Sequence, residues 1–156
     1  MRRSLIPWLI VLTTACGEPT PADPWFSTWS SSMAEAAPGL QDQTLRQVVR
    51  VSAGGERVRV RLSHRFGTEA TRIGAASIGL SLDGADIQPG TLRALTFGGS
   101  RTATLEAGQE LLSDAVELSV PSGASLAVSL YLAADSGDAT RHRAAQQTSY
   151  VGDGDQ

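Results

Sequence analysis

His64 and His142 are the two imidazoles of the chain, and acid–base or nucleophilic chemistry at neutral pH would look to them first. A Ser-His-Asp relay needs three groups in contact in a water-shielded pocket. The nucleophile turn G-x-S-x-G is absent: the nearest approach, Gly74-Ala-Ala-Ser77-Ile-Gly79, has the wrong spacing and lies in an expected strand. His64 stands among Ser63, Arg65 and Phe66, and His142 between Arg141 and Arg143, four residues after Asp138. Both read as polar residues at a strand end or in a loop. Zinc would need three or four His, Cys or carboxylate ligands at close spacing, a pattern the sequence lacks. Gly98-Gly99 has neither the following Lys nor the helix of a phosphate-binding loop. The expectation is therefore no catalytic set, no cofactor and no metal.

Two other groups have surface chemistry. Arg57, Arg59 and Arg61 alternate with Val58, Val60 and Leu62. The arginines read as the solvated face of a strand, as a contact surface for carboxylates on a neighbouring domain, which suits their bidentate geometry, or as a site of anionic ligand capture. Trp25, Phe26 and Trp29 place three of the eight aromatics within five residues. They are expected to fill the end of a core or an interdomain seam, and a sugar-stacking platform is the rival reading.

The elements that must position these groups are strands. A period of two over residues 57–62 marks a half-buried strand, and Gly54-Gly55 between it and Val49–Val51 predicts a hairpin. Strands are expected over 44–52, 57–64, 72–82, 90–97, 101–105, 115–120 and 125–133. Turn signals at Asp83-Gly84, Pro89-Gly90, Gly98-Gly99, Ala107-Gly108 and Pro121-Ser-Gly123 separate them. No amphipathic run of helical length intervenes, so the fold class is all-β, a jelly-roll-like sandwich of galactose-binding-like shape.

Residues 1–15 read as an export signal: Arg2 and Arg3, the short apolar run Leu5–Leu12, then small residues. Cys16, the single cysteine, stands in L-T-T-A-C-G, which resembles a lipobox with Thr13 where Leu is usual. Acylation there would anchor the chain to a membrane, at about 0.8 kcal/mol per buried methylene, and a buried structural thiol is another reading of Cys16. The expected location is the cell envelope, or the exterior if the signal is simply cleaved. Residues 16–38 form a proline-spaced tether and aromatic entry, 39–151 the sandwich, and 152–156 the start of a linker. All 13 basic residues are Arg; two lie in the signal, leaving 11 against 16 acidic residues. That balance argues against nucleic acid as a partner.

Five phrases occur in order: TLRQVVRVSAGGERVRVRLSHRFG from Thr44, GTLRALTFGG from Gly90, LLSDAVEL from Leu111, LAVSLYL from Leu126 and TRHRAAQQTSYVGDGD from Thr140. Together they resemble the N-terminal β-sandwich of bacterial exported SGNH/GDSL-type esterases. His64 departs from the Asn of that family's S-N-x-F-G phrase. In that family the domain precedes an α/β hydrolase domain, a partner normally on the same chain. The family's catalytic residues find no counterpart here. Asp153 is followed by Gly154 instead of Ser, and Asp138 to His142 is one residue longer than D-x-x-H. The resemblance implies a non-catalytic accessory domain of an ester hydrolase acting on acyl esters or acetylated glycans, in a partial product. It also implies a partner-facing apolar patch around Tyr131 or Tyr150. Open alternatives are a carbohydrate-binding module with Trp25 and Trp29 as stacking residues, and a structural envelope lipoprotein.

Overall fold

The structure, a computed structural model, describes residues 25–142 and 147–156. The signal, Cys16, the tether up to Pro24 and Arg143 lie outside the described residues. Twelve strands occur among them: β1 (Glu35–Ala37), β2 (Gln43–Arg50), β3 (Gly55–Val58), β4 (Arg61–Ser63), β5 (Thr71–Leu80) and β6 (Arg93–Ala94), then β7 (Ala103–Leu105), β8 (Glu110–Leu112), β9 (Val116–Val120), β10 (Ser125–Leu132), β11 (Ala139–Arg141) and β12 (Ser149–Asp153). The described residues contain no helix, and the protein is all-β, as expected.

One layer is an antiparallel sheet in the order β12-β2-β10-β5-β6, with β7 pairing the other end of β5. β10 is its centre because Leu126, Val128 and Leu130 alternate onto one face. They stand opposite Val49, Gln47 and Leu45 on one side and Leu80, Ile78 and Ala76 on the other. The second layer is a ribbon, β3 with β9 and β4 with β8. Between the layers lies the core, with Ile73, Ile78, Leu95, Leu118, Val120 and Leu126 all buried. Each such side chain contributes about 1.5–3 kcal/mol when fully removed from water.

The expected hairpin does not form. β2 pairs with β10 and β12, β3 pairs with β9, and Gly54-Gly55 carries the chain from one layer to the other. Close approach explains the glycine: a Cβ on Gly54 would lie 2.2 Å from the Val120 carbonyl oxygen. Alternation along 57–62 holds, with the arginines exposed and Val58, Val60 and Leu62 packed on the core. The expected single strand 57–64 is nevertheless split. From Val58 to Arg61 the chain advances three residues while its partner runs four, from Val116 to Leu112. Ser113 spans the gap, its N–H donating to the Val60 carbonyl and its hydroxyl accepting from the Val60 N–H, both at 2.9 Å. Asp114, the next residue, is drawn out to residues 96–99.

The other face of the large sheet carries small residues because residues 81–92 cross it. A Cβ on Gly79 would come within 2.6 Å of Ile87 Cγ2. Arg46 fastens this crossing, donating to Ser129 Oγ and to the Ala85 carbonyl, each at 2.8 Å. The expected strand 90–97 shrinks accordingly to Arg93–Ala94. β12 continues to Asp153, two residues into the stretch read as linker.

Candidate functional site

Trp25 reaches the arginine row because Thr28 straps the entry segment across the start of the ribbon. The Thr28 hydroxyl donates to the Ala53 carbonyl and accepts from its N–H, both at 2.9 Å, and the Ser52 N–H donates to the Thr28 carbonyl at 3.0 Å. This places the Arg59 guanidinium carbon 4.1 Å, and that of Arg57 5.4 Å, from the Trp25 ring centroid. Both distances lie within cation–π range.

Between the segment and the ribbon lies a cleft of about 230 Å³. Val51, Val58, Val120 and Leu126 supply apolar lining; Trp25 and Phe26 stand along it with both guanidinium groups. Phe26 is 64 % and Trp25 38 % exposed. The aromatic cluster thus lies on the surface and does not fill the end of the core, which corrects that half of the packing expectation. Its strap runs over residues 51–53, outside the two layers.

Trp29, 42 % exposed, meets His142 instead, edge to face at 6.4 Å between ring centroids. The gap beside them, near Gln47 and Val49, measures about 10 Å³, too little for a ligand larger than one water. Arg61 pairs with Glu110 at 3.2 Å on the surface. The structure therefore gathers Trp25, Arg57 and Arg59 at one place, and Trp29 with His142 at another.

His64 belongs to neither group. It is 4 % exposed, and its Nε2 lies 2.8 Å from the Glu69 carbonyl oxygen and 3.1 Å from Thr71 Oγ1. A carbonyl only accepts, so Nε2 carries the proton. Thr71 in turn donates to the carbonyl of buried Ser136 at 2.9 Å. The imidazole is also roofed by backbone, since a Cβ on Gly67 would meet its ring at 2.1 Å. These contacts tie the end of β4 to the start of β5 and to the segment before β11, an internal brace closed to a ligand. Tyr131 donates to Asp42 Oδ1 at 2.7 Å, which raises its phenol above the ordinary value.

Asp114 had no place among the sequence candidates. Its carboxylate accepts from the Thr96 hydroxyl at 2.7 Å and from the N–H groups of Gly99 and Gly98 at 2.7 and 3.2 Å. Donation by Thr96 and then Gly99 holds its carboxyl below the ordinary 3.8; partial desolvation opposes this, and Gly98 and the nearby Arg59 charge add to it. The available signal was Gly98-Gly99, whose positive φ angles of 60° and 82° turn successive N–H groups toward an anion. Among the described residues, no group of three His, Cys, Asp or Glu side chains could hold a metal ion. No protein-family model matches the chain, and no curated protein matches it.

Proposed function

We propose that this chain is an accessory β-sandwich domain of an exported SGNH/GDSL-type ester hydrolase. In this reading it anchors and orients the hydrolase domain and does not perform the chemistry. The observation that carries the reading is the outer face of the ribbon. Arg57, Arg59 and Arg61 project from it, and Leu112, opposite Arg61, is exposed beside them, while the inner side chains pack on the core. Arg61 already pairs with Glu110 at 3.2 Å on the surface and Arg57 is engaged within the molecule, so Arg59 is the guanidinium of the row that a carboxylate-bearing partner domain would meet first, and Arg engages carboxylates bidentately.

The test isolates the protein from its producing cells and assays p-nitrophenyl butyrate hydrolysis. Activity should reside in a hydrolase domain with a Gly-Asp-Ser phrase, joined to or complexed with this one. Replacing Arg57, Arg59 and Arg61 by Glu should loosen that association. Hydrolysis by residues 25–156 that disappears on replacing one of their serines would overturn the reading.

A second reading, a carbohydrate-binding module, is favoured by one observation: Trp25 and Phe26 stand exposed along a cleft. Calorimetric titration with neutral oligosaccharides tests it.

A further inference from the structure

We propose that the cleft between the Trp25–Phe26 segment and β3 binds an amphiphilic carboxylate, with the acid head on Arg59 and an apolar body against Val51, Val58, Val120 and Leu126. Three observations converge on that chemistry. Beside Thr28, Glu56 and the two arginines, the lining is apolar: Trp25 and Phe26 are exposed along it and the buried Val51, Val120 and Leu126 form its floor, which favours a ligand with an apolar body. A dry cavity of about 150 Å³ holds benzene, so about 230 Å³ has room for about ten non-hydrogen atoms.

Arg59 sets the head group. Its guanidinium is held against the Trp25 ring at 4.1 Å, and none of its five N–H donors makes a hydrogen bond to another described residue. The cation–π contact restrains the side chain beforehand, so less of its freedom is lost when a carboxylate docks. Two acids lie nearby, Asp114, whose charge interacts with that of Arg59, and Glu56, and both carboxylates accept hydrogen bonds from other donors. Asp114 accepts from Thr96, Gly98 and Gly99, and Glu56, which also lines the cleft, accepts from the Ser119 hydroxyl at 3.3 Å. Arg57 stands opposite Glu117 in the ladder and is engaged within the molecule, which leaves Arg59 as the anchor.

A neutral sugar would have to stack on Phe26 or on the face of Trp25 that Arg59 leaves open, and comparison with cellotriose separates that outcome from an anchored carboxylate.

Amide and side-chain NMR of the 15N-labelled chain tests this, with sodium octanoate as the probe and octanamide, sodium glucuronate and cellotriose as comparisons. Octanoate should shift the Trp25 indole N–H and the Arg59 Nε–H saturably, with a Kd on the order of 1 mM or below. Octanamide, lacking the charge, and glucuronate, lacking the apolar body, should bind at least about tenfold more weakly. Arg59→Gln should weaken octanoate about tenfold or more and leave the amide spectrum of the core strands in place. Failure of octanoate to saturate these signals would overturn the proposal. So would equal binding of octanamide, indifference to Arg59→Gln, or preferential binding of cellotriose at Trp25. The measurement involves no hydrolase domain, so its outcome is separate from the accessory-domain reading.

Discussion

Asp114 and His64 show how single side chains hold this fold at its irregular points. Asp114 is ionised more readily in the folded chain than in the unfolded one. Its contribution to stability is therefore complete above the unfolded carboxyl value and is lost as pH falls through the lower folded value. Urea unfolding followed from about pH 6 to pH 2 should show a decline that Asp114→Asn makes shallower. An unchanged pH profile would mean the Gly98-Gly99 contacts do not persist in solution. At His64, Gly67→Ala pushes a methyl into a buried ring that cannot swing away. Overpacking of that kind costs about 1–3 kcal/mol, readable as a lower urea midpoint. Neither residue was legible as a brace in the sequence. A lone Asp or His carries no periodicity, and its partners, Thr96 and Gly99 or Glu69 and Thr71, become neighbours only after the chain has turned.

At the scale of the strand, the period-two pattern was fully legible. Val58, Val60 and Leu62 face the core and the intervening arginines face water because side chains on a strand alternate by geometry. Partner choice was not legible. Gly54-Gly55 serves a hairpin and a layer crossing equally well, and the Val120 carbonyl that decides between them lies far along the chain. The short strands β1, β8 and β11 escaped for a related reason, since three residues cannot display a period. β10, paired on both sides, should hold the slowest-exchanging amides, and β1 and β11, each paired once, should exchange faster. Ile78→Ala, in the strand beside β10 and 1 % exposed, should cost about 2–5 kcal/mol. Val151→Ala on the surface of β12 should stay within about 0.5 kcal/mol. Thermal or urea unfolding of the pair checks both.

The whole molecule depends on a few long-range ties between its ends and its centre. Thr44 donates to the Gly154 carbonyl at 2.6 Å and accepts from the Gln156 N–H at 3.1 Å. Arg46 binds β10 and the 81–92 crossing at once. Replacing Arg46 by Met keeps its apolar stem and removes these charge-assisted bonds, at a cost of about 1.5–3 kcal/mol. Amide exchange in residues 81–92 should quicken in that variant, and unchanged exchange there would remove the fastening role. Composition and turn spacing made the sandwich class legible. Arg46 remained invisible because an arginine whose stem crosses a sheet face looks, in one dimension, like any surface cation.

Among the described strands, β12 has a neighbour on one side only, and Val151 on it is 52 % exposed. Two copies joined antiparallel about Val151 would set Asp153 against Ser149, with no clash of like charges. Joined about Arg59, two copies of the ribbon would set arginine against arginine at every second rung, which repels. Of these two edges, β12 is the one along which copies of this protein should associate in crowded solution, and Val151→Lys should then lengthen the lag before thioflavin fluorescence rises.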